Sequence, residues 1–158
     1  MKQDKFLLGI IIGIVALVAI ALVVFFTRQN ITQEYQAEDQ PTGVVFNYIL
    51  ALHKGDYEKA YGYLSDADGK PTLTKFRQGI LINKPQMEMN SVDITGESID
   101  GNSATVMVAT TYSNNGIFNE GSRNTENGSL ENEAGKWKII SMPYLYWSYD
   151  WYQPVIKQ

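Results

Sequence analysis

The sequence predicts an α+β protein: a long apolar helix, then two to three helices packed on an antiparallel sheet. Three observations carry this. Residues 6–26 hold no charged or strongly polar side chain. Between Pro41 and Ile82 apolar positions recur at helical spacing, and from Met87 to Met142 they alternate as in strands. All the helical patterning of the second part precedes all its strand patterning, an order that suits an α+β domain and not βαβ units.

The first element is FLLGIIIGIVALVAIALVVFF, Phe6–Phe26. Its twenty-one residues reach roughly 31 Å as a helix, enough to cross a hydrocarbon core of about 30 Å. A cleaved signal peptide has a shorter apolar region and a small-x-small site. This run ends FFTRQN, so a retained signal-anchor helix is expected, with the lipid bilayer as partner through residues 6–26. Lys2, Lys5 and the amino terminus precede it and Arg28 alone follows it closely. That asymmetry puts residues 1–5 in the cytoplasm and the following domain outside the cell membrane, periplasmic or extracellular. Gly9 and Gly13 form one G-x-x-x-G, a spacing that lets two membrane helices approach closely, although glycine is common in such helices.

Residues 27–40 are polar with no periodic apolar face and read as a juxtamembrane linker. If extended, the stretch from Arg28 spans about 40 Å. The domain proper is expected over 41–142. Val44, Val45, Tyr48, Ile49 and Leu52 form a helical stripe, with Thr42 as N-cap. Gly55 can supply the C-cap and Asp56 can cap a second helix, whose stripe is Tyr57, Ala60, Tyr61 and Leu64. After the polar loop SDADGKP, TLTKFRQGILI suggests a third short helix through Phe76 and Ile80. MEMNSVDITGE turns strand-like, Asp100-Gly101 offers a tight turn, and ATVMVATTYS alternates as a second strand. Residues 119–132 are polar and suit an edge strand or a loose hairpin arm. The EAGK turn then leads into the strand WKIISM. Residues 143–158 form an aromatic tail.

Past Gln29 the chain carries ten Lys or Arg against sixteen Asp or Glu, a net charge of −6. With no basic cluster, this is the wrong sign for a nucleic-acid or anionic headgroup surface, so no nucleic-acid partner is expected. The absence of cysteine removes disulfides, zinc–thiolate sites and cysteine nucleophiles together.

GVVFNYILALHKGDYEKAYGYLS resembles the opening of the NTF2-like (cystatin-like α+β) superfamily, with an apolar helix, a G-D-Y-x-x-A-Y step and a second helix ending in Leu-Ser. GKWKI is similar to that superfamily's last core strand, and the resemblance covers roughly residues 41–142. It implies a curved sheet wrapped around the first helix as a cone. A pocket in that cone would be lined by Phe46, Tyr48, Tyr61 and Trp137. A membrane helix ahead of such a domain is similar to extracytoplasmic NTF2-like proteins of bacteria and to assembly subunits of type IV secretion. Members of the superfamily include isomerases and dehydratases, ligand binders, dimers and scaffolds, so the fold alone chooses no function.

Catalytic chemistry finds little support in the residues. His53, the only histidine, sits at an expected helix end, where a solvated residue is ordinary. Asp93 and Glu97 share one face of a regular strand, but Val92 and Ile94 claim the other as core, which leaves the carboxylates in solvent. SDADGKP contains a D-x-D-G fragment of a calcium loop, yet Leu64 and Lys75 fall where ligands belong. Asn30 and Asn127 head Asn-x-Ser/Thr triplets, which matter only in a eukaryotic secretory pathway. No metal or cofactor is expected.

In PYLYWSYDWYQP, six of the nine residues from Tyr144 to Tyr152 are Tyr or Trp. Extended, the stretch puts Leu145, Trp147, Tyr149 and Trp151 on one face. Three roles are open for it: packing on the domain's own sheet, docking a partner through Tyr144, Tyr146, Trp147, Tyr149, Trp151 and Tyr152, or lying in the membrane interface. The expected function is a single-pass, membrane-anchored extracytoplasmic binding or scaffolding module, an accessory subunit of a membrane complex or a homodimer. The alternatives are a pocket enzyme of isomerase or dehydratase type and a small-ligand sensor or carrier.

Overall fold

The computed structural model describes residues 3–29, 33–112 and 121–152, with side chains described at 9–22, 33–112 and 121–152. The chain divides into two units, Met1–Glu34 and Tyr35–Gln158.

The first unit holds helix α1, Gln3–Gln29, of 27 residues. Among the described residues no helix is long and apolar enough to cross a membrane. The side chains described in α1 are those of residues 9–22, about 21 Å of helix against a hydrocarbon core of about 30 Å. The expected crossing over Phe6–Phe26 therefore extends beyond both ends of the described side chains. Gly9 and Gly13 lie on this stretch with open space around them.

The second unit is α+β, with helices α2 (Pro41–Lys54), α3 (Tyr57–Gly62) and α4 (Leu73–Met89) and strands β1 (Asn90–Asp100), β2 (Ser103–Tyr112), β3 (Ser122–Glu133) and β4 (Lys136–Ser141). The strands form one antiparallel sheet in the order β1-β2-β3-β4. The helices cover the face that carries Ala104, Val106, Val108, Leu130 and Ile139, all buried in one core with Tyr48, Leu52, Phe76 and Ile80.

Local chemistry explains most boundaries. Gly55 takes φ 74° and ends α2, with the Asp56 amide donating to the Ala51 carbonyl. The Asp56 carboxylate then accepts from the Lys59 amide to start α3. Leu64, expected in that helix, instead pairs in parallel with Ile139 at the β4 edge. Ala134 and Gly135 both take positive φ in the tight turn from β3 to β4.

Five expectations are corrected. The third helix runs on to Met89, through Pro85, because Phe76, Ile80, Asn83 and Met87 continue one buried stripe. β3 is a central strand and not an edge: its Asn, Ser and Glu residues have low strand preference, but the ladders on both sides hold them. Thr42 is not the cap of α2. Gln40 holds that position without a side-chain bond, and the Thr42 amide donates to Glu97 Oε2 at 2.9 Å. Nor do Asp93 and Glu97 share a face. A bulge between Ile94 and Gly96 moves Glu97 opposite Val106 on the helix-covered side, while Asp93 stays outside, 3.3 Å from Arg123.

The fifth correction concerns the linker. Residues 35–38 are fastened to the domain: the buried Asn47 side chain accepts from the Gln36 amide at 2.7 Å and donates to the Gln36 carbonyl at 2.8 Å. Glu38 accepts from the Tyr63 hydroxyl at 2.7 Å. The ring of Tyr35 lies beneath Lys54 and Lys59. Gly43 makes this approach possible, since a Cβ there would land on the Ala37 carbonyl oxygen.

Candidate functional site

The aromatic tail is neither extended nor separate. After Pro143 the chain makes a 3₁₀ turn over Tyr144–Tyr146 and then bends back, which breaks the alternation expected of a strand. Leu145, Tyr146, Trp147 and Trp151 are buried in the same core as α2, α4 and the sheet. Tyr152 is half-buried, whereas Tyr144 and Tyr149 remain 52% and 74% exposed. Residues 153–158 lie outside the described residues, as does Asn30.

Polar side chains from three elements fix this path. The buried Tyr48 hydroxyl donates to the Tyr146 carbonyl at 2.7 Å. Asn83, at a core position of α4, donates to the carbonyls of Tyr144 at 3.0 Å and Trp147 at 3.5 Å. The Tyr152 amide donates to the Gly69 carbonyl, and its hydroxyl donates to the Ser65 carbonyl at 2.6 Å. Gly69, at φ 90°, has no Cβ to push the Tyr152 backbone away. Asn83 was not singled out from the sequence; the signal was a polar residue on the stripe Phe76, Ile80, Met87.

The rings form a continuous set. Phe76 lies 5.1 Å from Trp151, Trp151 meets Trp147 edge-on at 4.9 Å, and Trp147 stacks on Tyr152 at 5.8 Å. The core between helices and sheet thus includes the chain's own C-terminal aromatics. Burial pushes the phenols of Tyr48, Tyr146 and Tyr152 up, so all three are neutral at physiological pH. Among the described residues the Tyr146 hydroxyl is the buried side-chain polar atom without a hydrogen-bond partner.

Phe46, Tyr48, Tyr61 and Trp137, expected to line a pocket, line neither of the two surface grooves described below. Tyr48 and Tyr61 contribute to the packed interior, the Tyr61 hydroxyl donating to the Pro71 carbonyl at 2.8 Å. Phe46 is half-buried on α2, and Trp137 packs against the core from β4. His53 faces solvent at the end of α2, 6.3 Å from the Tyr146 ring. Partial burial lowers its pKa, against a smaller opposing effect of Glu88. In the SDADGKP loop Lys70 pairs with Asp66 at 2.7 Å. Among the described residues no three His, Asp or Glu side chains are placed to hold a metal ion.

The described residues of this unit line open surface grooves, two of which are well formed. One, of about 570 Å³, runs between the α2–α3 turn and α4 beside Asp56, Tyr57, Leu73, Arg77 and Leu81. The other, of about 350 Å³, lies between β3 and the tail beside Glu126, Asn127, Pro143, Tyr144, Trp147 and Tyr149.

No family model matches the sequence, and no curated protein matches it. Solved structures that resemble the chain include NTF2-like and cystatin-fold proteins. A Campylobacter jejuni protein, provisionally named an NTF2-like transpeptidase, is 19% identical over 63% of this chain and 96% of its own, with a TM-score of 0.48. An NTF2-like protein of unknown function from Cytophaga hutchinsonii is 12% identical over 67% of this chain and 88% of its own, with a TM-score of 0.38. A cystatin-fold protein of Novosphingobium aromaticivorans is 12% identical over 62% of this chain and 95% of its own, with a TM-score of 0.42.

Proposed function

We propose that the chain is a single-pass membrane protein whose NTF2-like domain lies outside the cell membrane and works as a non-catalytic binding or scaffolding module. One observation carries the functional part of this reading: the place where a cone-shaped domain would keep a reaction pocket is occupied by Tyr146, Trp147 and Trp151. A filled interior leaves the surface to do the work, which suits a subunit of a membrane complex or a homodimer better than a pocket enzyme or a carrier. The membrane part rests on the uninterrupted apolar run Phe6–Phe26 and on the 27-residue length of α1. The orientation rests on Lys2 and Lys5 against Arg28. The family part rests on GDYEKAY and GKWKI within helices followed by an antiparallel meander.

The test is the size of the native particle. The full chain, extracted in mild detergent without cross-linking, should migrate as an assembly larger than the monomer. A monomer with no partner contradicts the scaffolding reading.

A further inference from the structure

We propose that the groove between β3 and the aromatic tail is a binding site for a small alkylammonium cation. Tyr144 and Tyr149 are the tail's exposed rings among the described residues, and they stack on each other at 5.1 Å and 23°. Their stacking presents a preformed aromatic wall, and Trp147, held from behind by Trp151 and Tyr152, continues it into the groove. Aromatic faces carry negative quadrupole potential and attract cations within about 6 Å.

The charge in the groove has the same sign. Among the described residues Glu126 is bonded only by the Asn124 side-chain amide, at 2.7 Å, and no Lys or Arg lines the groove. A carboxylate without a basic partner, set among rings, favours a cation over a neutral or anionic ligand. The wall chemistry selects the kind of cation. A divalent metal needs six or more oxygen ligands, or a compact set of imidazole and carboxylate groups. Here one carboxylate and one amide stand beside rings, a proline and the Met142 thioether. A weakly hydrated alkylammonium gives up little hydration in reaching such a wall, and the groove's volume of about 350 Å³ suits a compound of that size. The proposal concerns the domain alone and holds or fails independently of the membrane reading.

The experiment titrates the full chain, in a maltoside detergent free of choline headgroups, with choline and with its neutral carbon isostere, observed through ligand NMR. Choline should bind saturably in the millimolar range and the isostere several-fold more weakly. Glu126→Gln, Tyr144→Ala and Tyr149→Ala should each weaken choline roughly two- to fivefold. The two tyrosines are exposed, so their variants retain the fold, which far-ultraviolet circular dichroism verifies. Equal binding of the isostere, no saturation by choline, or full affinity in all three variants would overturn the proposal.

Discussion

Replacing Trp151 with alanine separates a tail that is core from a tail that is a docking surface. The indole is only 3% exposed and sits against Phe76, Trp147 and α4. Truncating a buried tryptophan costs about 3–5 kcal/mol. In a domain of this size that corresponds to roughly 10–20 °C in Tm. Thermal and urea unfolding of the full chain, followed by near- and far-ultraviolet circular dichroism, measures it. Tyr149→Ala, at an exposed ring stacked on Tyr144, should cost no more than about 1 kcal/mol. A second substitution sharpens the test. A Cβ at Gly79, inside α4, would lie 3.0 Å from Trp151 Cζ2 and 3.3 Å from Ser148 Cβ. Alanine for glycine in a helix interior is worth about 1 kcal/mol, and overpacking a fixed ring costs about 1–3 kcal/mol. Gly79→Ala should therefore destabilise the parent and stabilise the Trp151→Ala protein, a coupling of about 2 kcal/mol. A loss below about 1 kcal/mol for Trp151→Ala, or stabilisation by Gly79→Ala in both backgrounds, refutes the core role of the tail.

Gly43→Ala should lower stability by about 2–3 kcal/mol and expose the Gln36 amide to hydrogen exchange, because residues 35–38 can no longer reach Asn47; unchanged protection of that amide contradicts it. Glu97→Ala should cost about 1 kcal/mol in urea unfolding and Glu97→Gln about half of that, since the side chain meets the Thr42 amide at the N-terminus of α2; equal stability of all three proteins removes that role. The buried phenols of Tyr48 and Tyr146 sit above the ordinary value of 10.0. Below that value both folded and unfolded chains hold neutral phenols and the stability is flat. Above it the unfolded chain loses protons first, so stability should fall by up to about 1.4 kcal/mol per pH unit for each phenol. Urea midpoints across this range check the sign, and a rise with pH contradicts it.

The helices and three of the four strands follow from patterning in the sequence because their apolar residues repeat at the period of the element, and glycine or a capping aspartate marks the junctions at Gly55, Asp56, Gly101 and Gly135. The misplaced features have specific causes. Asn83 and Met87 carry the buried stripe of α4 past Ile82 and across Pro85, beyond the end of TLTKFRQGILI. The bulge at Thr95 has no signature in MEMNSVDITGE, so the faces of Asp93 and Glu97 could not be told apart. Low strand preference in SRNTENGSLENE hid a central strand whose order comes from its neighbours. Residues 35–38 look like linker because their partners, Asn47, Gly43 and Tyr63, lie on other elements. Alternation described the tail as a strand, but its path is set by donors distant in sequence, Tyr48 and Asn83. The aromatic density itself was the legible part of the candidate site, and the exposure of Tyr144 and Tyr149 was not.

Cysteine labelling tests the proposed placement of the domain most directly, and the chain's lack of native cysteine makes the readout unambiguous. Asp68→Cys puts a thiol in the exposed loop between α3 and α4, and Gln3→Cys puts one ahead of the apolar run. With a membrane-impermeant maleimide on intact cells, the cysteine at 68 should be labelled at once and the one at 3 only after permeabilisation. Labelling of neither site before permeabilisation, or of the site at 3 alone, contradicts a domain held outside the membrane.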